Sequence, residues 1–329
     1  MLSIVVIVCI VILVNMINSF IISNRNIQKS NVIKRFMSLS SSSSASSVKT
    51  TLTSSSSLSF YNNLLHLTSE SNDKIKLMKS LNTKKKRQSL NVLLLEGHRQ
   101  VIDAINGGML PQHILLSDKA MNAPLSNILI DSIMKIKSES LVYKVNDNIM
   151  QSLSDTVHSQ GVLAAFSKPT VVTTLPSIDK NPLVVILDRV ADPGNVGTII
   201  RTSYGLGADA VVVVEGCDPW SPKVLRSAMG LCIKMPILEC EWENMPDLSK
   251  YQILLADVDE TAITYDKVDM KKPTVIVIGN EANGISKEAL AITNAIKVKI
   301  PMTRNLESLN AAVAASIIIS EASKQRHNS

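Results

Sequence analysis

Aromatic side chains are scarce in this 329-residue chain, where two Trp, five Tyr and four Phe make up 3% of the residues. A surface that binds single strands by stacking needs a cluster of rings, so that kind of platform is not expected. Cysteine is equally thin. Cys9, Cys217, Cys232 and Cys240 form no C-x-x-C pair and have no histidine at matching spacing, which argues against both a zinc site and a disulfide framework. Buried thiols in a reducing compartment fit better. His98, His113 and His158 make no metal-like pair and read as structural or surface histidines, so no metal is expected.

Acid is missing from the whole N-terminal stretch before Glu70, and this changes the meaning of the net charge of +6 and pI near 9.0. Residues 1–60 carry Arg25, Lys29, Lys34, Arg35 and Lys49, leaving 29 basic against 28 acidic residues in the rest of the chain. Lys74, Lys76, Lys79, Lys84, Lys85, Lys86 and Arg87, set against Glu70 and Asp73, leave 22 basic and 26 acidic residues after position 87. Global basicity therefore belongs mostly to the leader, and any nucleic acid must be held by local patches.

The leader has two parts. Residues 1–22 hold an uncharged apolar run, Leu2 to Val14, extended less cleanly by Met16, Ile17, Phe20, Ile21 and Ile22. That is signal-peptide length, short of the ~20 apolar residues of a transmembrane span, although a signal anchor remains open. Residues 23–80 are Ser-rich with scattered Lys and Arg, the composition of an organelle transit peptide or of a disordered linker. An apolar signal ahead of a transit-like segment favours a plastid over a mitochondrion. The leader is expected to be cleaved, and membrane contact is expected only through it if it is retained.

Periodicity becomes readable after Ser89. Short apolar runs at Val92–Leu95, His113–Leu116 and Leu141–Val145 alternate with helical patterns at 97–105, 125–135 and 147–153, predicting a small α/β domain over residues 88–168. Residues 169–182, bounded by prolines, read as a linker. Beyond it, Val/Ile/Leu runs recur at Leu183–Leu187, Ala210–Val214, Ile253–Ala256, Val275–Ile278 and Ala295–Ile300. Such runs, separated by helices or loops, predict a mainly parallel sheet buried on both faces, with ligands beyond the strand C-termini. Gly205-Leu206-Gly207-Ala208-Asp209-Ala210 matches the dinucleotide fingerprint G-x-G-x-x-A, but it leads from a helix into a strand, the reverse of the required context. It reads as a helix end.

Three loops gather the polar residues. After Leu187 comes Asp188 to Gly197, with Asn195 positioned to cap a helix that carries Arg201; Gly197, four residues earlier on the same face, is expected to leave room for substrate beside the guanidinium. After Ile278 comes Gly279-Asn280-Glu281-Ala282-Asn283-Gly284-Ile285-Ser286, either a backbone-rich ligand pocket or a tight turn with Ser286 as the next helix's cap. After Val298–Ile300 comes Pro301 to Asn310, with Ser308 readable as a helix cap and Asn310 in the first turn, where propensity does not demand an amide. Taken singly, each is also an ordinary cap or turn.

Taken together, D-P-G-N-V-G-x-x-x-R-T, I-G-N-E-x-x-G-I-S and I-P-M-x-x-x-x-x-S-L-N-A-A-V-A resemble the three signature motifs of the SpoU (TrmH) family of RNA ribose 2′-O-methyltransferases, in the SPOUT superfamily. The likeness covers about Leu183 to Ala322, within a catalytic domain expected over residues 183–325. Glu96-Gly97-His98-Arg99 and Ser159-Gln160-Gly161-Val162 are similar to the small substrate-binding domain, like ribosomal protein L30e, that precedes many members. The resemblance implies a parallel-sheet domain ending in a deep trefoil knot, which general topology rules treat as exceptional. It also implies S-adenosylmethionine as cofactor, a homodimer, and RNA as substrate, with ribosomal RNA preferred over tRNA.

Carried over by position, the resemblance makes Arg201 the catalytic arginine, with Asn195, Glu281, Ser308 and Asn310 beside it. Gly279, Asn280, Gly284, Ile300, Met302, Ser308 and Leu309 would bind the cofactor, and Arg201, Arg99, Lys223 and Arg226 the RNA. Displacement at a sulfonium requires no metal, only an in-line hydroxyl and a path for its proton. A guanidinium is a poor base unless its site favours the neutral form, so the role of Arg201 stays open between base and stabiliser of a phosphate or alkoxide. A catalytically inactive RNA-binding assembly factor on the same fold, or a tRNA methyltransferase, is the alternative.

Overall fold

The computed structural model describes residues 55–136, 141–170, 172–304 and 306–327. The expectations for residues 1–22 and 23–54 lie outside them. Among the described residues no helix is long and apolar enough to cross a membrane.

The chain after Pro182 builds a seven-stranded sheet in which every pairing is parallel. Its strands are β6 (Leu183–Asp188), β7 (Ala210–Val214), β8 (Ile237–Cys240), β9 (Gln252–Ala256), β10 (Ile263–Thr264), β11 (Thr274–Ile278) and β12 (Ile296–Lys299), in the order β10-β12-β9-β11-β6-β7-β8. The five expected strands are all present. The two that periodicity missed, β8 and β10, are edge-proximal and short, with too few apolar residues to stand out. Alternate residues of the central strands enter different cores: Leu183, Val185 and Leu187 pack on one face, Val184 and Ile186 on the other. A strand covered on both faces has no reason to alternate with polar residues, hence the unbroken apolar runs. Each fully buried aliphatic side chain contributes about 1.5–3 kcal/mol of transfer free energy.

The preceding domain is a five-stranded mixed sheet of order β1-β4-β3-β5-β2, formed by β1 (Leu65–Leu67), β2 (Val92–Glu96), β3 (Pro111–Leu116), β4 (Val142–Val145) and β5 (Val162–Ser167). Its first edge corrects the expected boundaries. Residues 55–80, assigned to the leader on their serine content, contain two helices, α1 (Ser55–Asn62) and α2 (Asp73–Ser80), and β1 between them pairs in parallel with β4. Tyr61, Ile75 and Met78 are buried, so a few apolar anchors override a polar average. A third helix, α3 (Lys84–Leu90), carries the Lys84–Arg87 run; its lysines are exposed, but Arg87 is buried, donates to the Leu81 carbonyl at 2.7 Å and pairs with Asp218 of the following domain. That residue is a tie between domains.

One apolar core runs through both domains. Leu93 and Leu95 of β2 share a cluster with Val185, Leu187 and with Val224 and Leu225. The linker is likewise tied down: Val172 and Leu175 pack against the far core of the large domain, and Tyr251 donates to the Pro176 carbonyl at 2.6 Å.

Candidate active site

All strands of the large sheet point the same way, so the loops after β6, β9, β11 and β12 meet at one end. The loop after β6 leads into α8 (Pro193–Gly205), the eighth helix after α4 (His98–Asn106), α5 (Asp118–Met121), α6 (Ser126–Lys135) and α7 (Asp147–Leu153) of the small domain. Asp192, not Asn195, is its N-cap: the carboxylate accepts from the Asn195 amide at 2.9 Å, with Pro193 in the first turn. Asp before Pro at a helix start is the pattern that could have revealed this. Freed from capping, the Asn195 side chain donates to Glu281 Oε1 at 2.8 Å and its carbonyl accepts from the Asn310 amide at 3.0 Å.

These three residues, one from each signature loop, thus form a single hydrogen-bonded chain. Glu281 is its centre of charge, taking the backbone amides of Ala191 at 3.0 Å and Asp192 at 3.1 Å besides Asn195. Burial pushes its carboxyl up, but those hydrogen bonds to the anion outweigh it and hold the carboxyl below the ordinary carboxylate value. Asn310 caps the last helix, α11 (Ala311–His327), accepting from the amides of Ala312 at 2.9 Å and Val313 at 3.3 Å. The cap expected of Ser308 therefore belongs to Asn310, and this is why an amide stands there. Ser308 is exposed beside it.

The second loop is a backbone turn held by its own asparagine. Asn280 and Gly284 exchange backbone hydrogen bonds at 2.9 Å, the Asn280 carbonyl oxygen accepts from Ala282 and Asn283 at 3.0 Å, and its amide donates to the Arg189 carbonyl at 2.8 Å. Gly279 has no side chain for a local reason: a Cβ there would lie 2.4 Å from the carbonyl carbon of Gly284. The turn closes on itself at that point, and ligand approach is not what requires the glycine. Ser286 caps α10 (Lys287–Leu290), the short helix that follows α9 (Pro222–Ser227), as expected. Asp188, wholly buried at the end of β6, accepts from the Ser286 amide at 2.7 Å and from Trp242 Nε1 at 2.9 Å, pinning the first loop to the second. Sequence reading passed over Asp188 because nothing marks a strand-end aspartate as buried.

Between these loops lies a cleft of about 710 Å³. Gly279, Asn280, Gly284, Ile300, Met302, Ser308 and Leu309 all line it, with Glu281 and Asn310. Asp257 and Glu307 add carboxylates that no motif announced. Its size suits a small organic ligand, and apolar walls, exposed backbone and acids suit a molecule with an aromatic base at one end and cationic centres at the other. Asn195 and Asn310 also border a neighbouring groove of about 720 Å³ between α8 and α11.

The expected cationic residues do not gather in the cleft. Arg201, Arg99 and Lys223 are exposed, and Arg226 is paired with Glu96 and Asp155. Arg201 stands one turn beyond Thr198, a residue bordering the groove, and has no ion-pair partner among the described residues. Gly197 does not make space for substrate: a Cβ there would sit 2.4 Å from Ser227 Cβ and 2.7 Å from the Val224 carbonyl, so the glycine serves the close packing of α8 on α9. Gly205 ends α8 and Gly207, at φ +80°, turns the chain toward β7, as the rejection of the dinucleotide fingerprint requires. No group of three or more potential ligands that could hold a metal ion occurs among the described residues.

Residues 182–320 match the model of the SpoU rRNA Methylase family, and residues 72–164 match that of the MRM3-like substrate binding domain. The chain is similar to rRNA methyltransferase 3, mitochondrial, of Mus musculus, 30% identical over 73% of this chain and 69% of that protein. It is also similar to the 23S rRNA (guanosine(2553)-2'-O)-methyltransferase of Bacillus subtilis, 28% identical over 77% of this chain and 97% of that one. Among solved structures, an AdoMet-bound rRNA methyltransferase from Sinorhizobium meliloti superposes with a TM-score of 0.67 at 28% identity, covering 79% of this chain and 97% of that one.

Proposed function

This chain belongs to the SpoU rRNA methylase family, and from that premise we propose that it methylates a ribose 2′-hydroxyl of organellar ribosomal RNA, with S-adenosylmethionine as methyl donor. The observation that carries the reading is the Asn310–Asn195–Glu281 chain, whose two end members, Asn310 and Glu281, line the same cleft as the expected cofactor residues. When bound, the cofactor supplies an electrophilic methyl group on a sulfonium.

The protein's part is positioning and electrostatics. The backbone of the turn at Gly279–Gly284 and the loop through Ile300, Met302, Ser308 and Leu309 hold the cofactor, and the carboxylates of Glu281 and Glu307 favour its cationic end. Asn195 and Asn310 keep the first and third loops in register with Glu281. Arg201, without an ion-pair partner among the described residues, orients the ribose by its phosphate and stabilises the negative charge that grows on the 2′ oxygen as the hydroxyl proton passes to solvent; Arg99 and Lys223 extend the cationic footprint along the RNA. The trefoil knot and the homodimer belong to the same reading, the second checked by sedimentation.

Ribosomal RNA is favoured over tRNA by the domain matched at residues 72–164 and by the relatives' names. Of the two organelles, the order of the leader segments is plastid-like, whereas the Mus musculus relative is mitochondrial by name; a fluorescent fusion of the full chain distinguishes them. The decisive experiment maps ribose methylation across organellar rRNA and tRNA with the protein, without it, and with Arg201→Ala. Loss of one rRNA methyl group in both depleted and variant samples is expected. Loss only in tRNA redirects the substrate, and unchanged methylation in both pools overturns the activity.

A further inference from the structure

Arg226 and Ser227 are neighbours at the end of α9, yet they serve different domains. Arg226 reaches back to the small domain, with Nη2 2.9 Å from Asp155 and Nη1 3.4 Å from Glu96. Ser227 reaches forward: its hydroxyl donates to the Gly194 carbonyl at 2.9 Å, one residue before Asn195, and lies 3.4 Å from the Thr198 hydroxyl.

Both ends of this link are held firmly. Glu96, at the end of β2, is buried and also accepts from Ser154 at 2.5 Å and Thr156 at 2.8 Å. The helix between them cannot slide, because Val224 and Leu225 are fully buried, α9 packs along both β2 and α8, and a Cβ at Gly197 would collide with Ser227. A displacement of β2 relative to the large sheet is therefore carried through α9 to the peptide that places Asn195, and so to Glu281 and Asn310.

We propose that Glu96, Arg226 and Ser227 form a strut that sets the small domain against the catalytic loops, so that RNA seated on the small domain fixes the alignment of the reacting hydroxyl. Arg226 is then a positioning residue, not a phosphate ligand. Its guanidinium already faces two carboxylates, and the local sum of Glu96, Asp155 and Arg226 is negative, a poor site for a second anion. The inference rests on the methyltransferase reading above.

The test is a double-mutant cycle in the full chain on Glu96→Gln and Arg226→Gln, with Arg226→Lys as the conservative variant. Three quantities are measured: single-turnover methyl transfer at saturating RNA, RNA affinity at several salt concentrations, and S-adenosylmethionine affinity. Each single substitution is expected to slow transfer roughly tenfold, the double variant no more than either alone, and lysine to restore part of the rate. RNA and cofactor affinities should stay within about twofold of the parent and the salt slope should not change. A weaker RNA affinity with a shallower salt slope in Arg226→Gln, not shared by Glu96→Gln, overturns the strut in favour of a phosphate contact. Multiplying effects in the double variant also overturn it, as does loss of cofactor binding in step with activity, the mark of general unfolding. Absence of transfer by the parent protein would count against the methyltransferase reading instead.

Discussion

Both sheets of this molecule carry buried apolar cores, but they dispose of their polar residues differently. In the small domain, Glu96 is taken up by Ser154 and Thr156 and, across the domain boundary, by Arg226, the Tyr61 hydroxyl by Asp118, and His98 Nε2 by the Ala120 carbonyl at 2.8 Å. In the large domain, Asn195, Glu281 and Asn310 bind one another, while Glu281 and Asn310 line the open cleft and Asn195 and Asn310 the groove beside it. Strand direction explains the contrast. β2 and β5, like β3 and β5, run antiparallel, which distributes the small domain's loops over both ends of its sheet. Seven parallel strands collect theirs at one end, where polar side chains from distant parts of the chain can converge on a ligand.

The contrast breaks most visibly at Arg201. Arg201→Ala is expected to slow methyl transfer by roughly 10²–10³-fold while cofactor affinity, measured by calorimetry, is kept. Next in size, Asp188→Ala leaves the Ser286 amide and Trp242 Nε1 without an acceptor, and thermal unfolding should show a loss of about 2–4 kcal/mol. Gly197→Ala forces α8 from α9 and should cost about 1–3 kcal/mol, whereas Gly205→Ala, with open space at its Cβ position, should cost nothing; equal melting curves for the two would refute the packing account.

Glu281 sharpens the comparison through pH. Its carboxyl is held below the ordinary value of 4.5, so the stabilisation it provides is complete above that value and is lost as pH falls through the depressed value. The free energy of unfolding should therefore carry no dependence on this group from neutrality down to 4.5 and should fall below it, and Glu281→Gln should flatten that acid limb. A small effect belongs to the small domain: Tyr61→Phe removes one hydrogen bond to Asp118, costs about 1 kcal/mol in unfolding, and leaves the rate of methyl transfer unchanged.

Much of this was legible without coordinates because it is local. The strands at Ala210–Val214 and Leu183–Asp188 and the helix at Asp147–Leu153 follow from apolar runs and turn residues within a few positions. What escaped was what depends on distant partners. Residues 55–80 look like leader until Leu65–Leu67 is seen to pair with Tyr143–Val145. Arg87 is one more charge in a basic run until Asp218 meets it, and Gly197 looks like an opening until Ser227 fills the space.

The same division holds for the site. Motif order and spacing named Asn195, Asn280, Glu281 and Asn310 from the sequence and attached them to strand ends, since both are properties of the chain's linear pattern. Which of them cap helices, which bond one another and which border the cleft were decided only when the sheet brought loops some 90 to 115 residues apart into hydrogen-bonding distance. A side chain's local propensity is fixed by its neighbours in sequence, but its partner is chosen in space. Asn195 gave up the cap to Asp192 because Glu281 was there to accept from its amide and Asn310 to donate to its carbonyl.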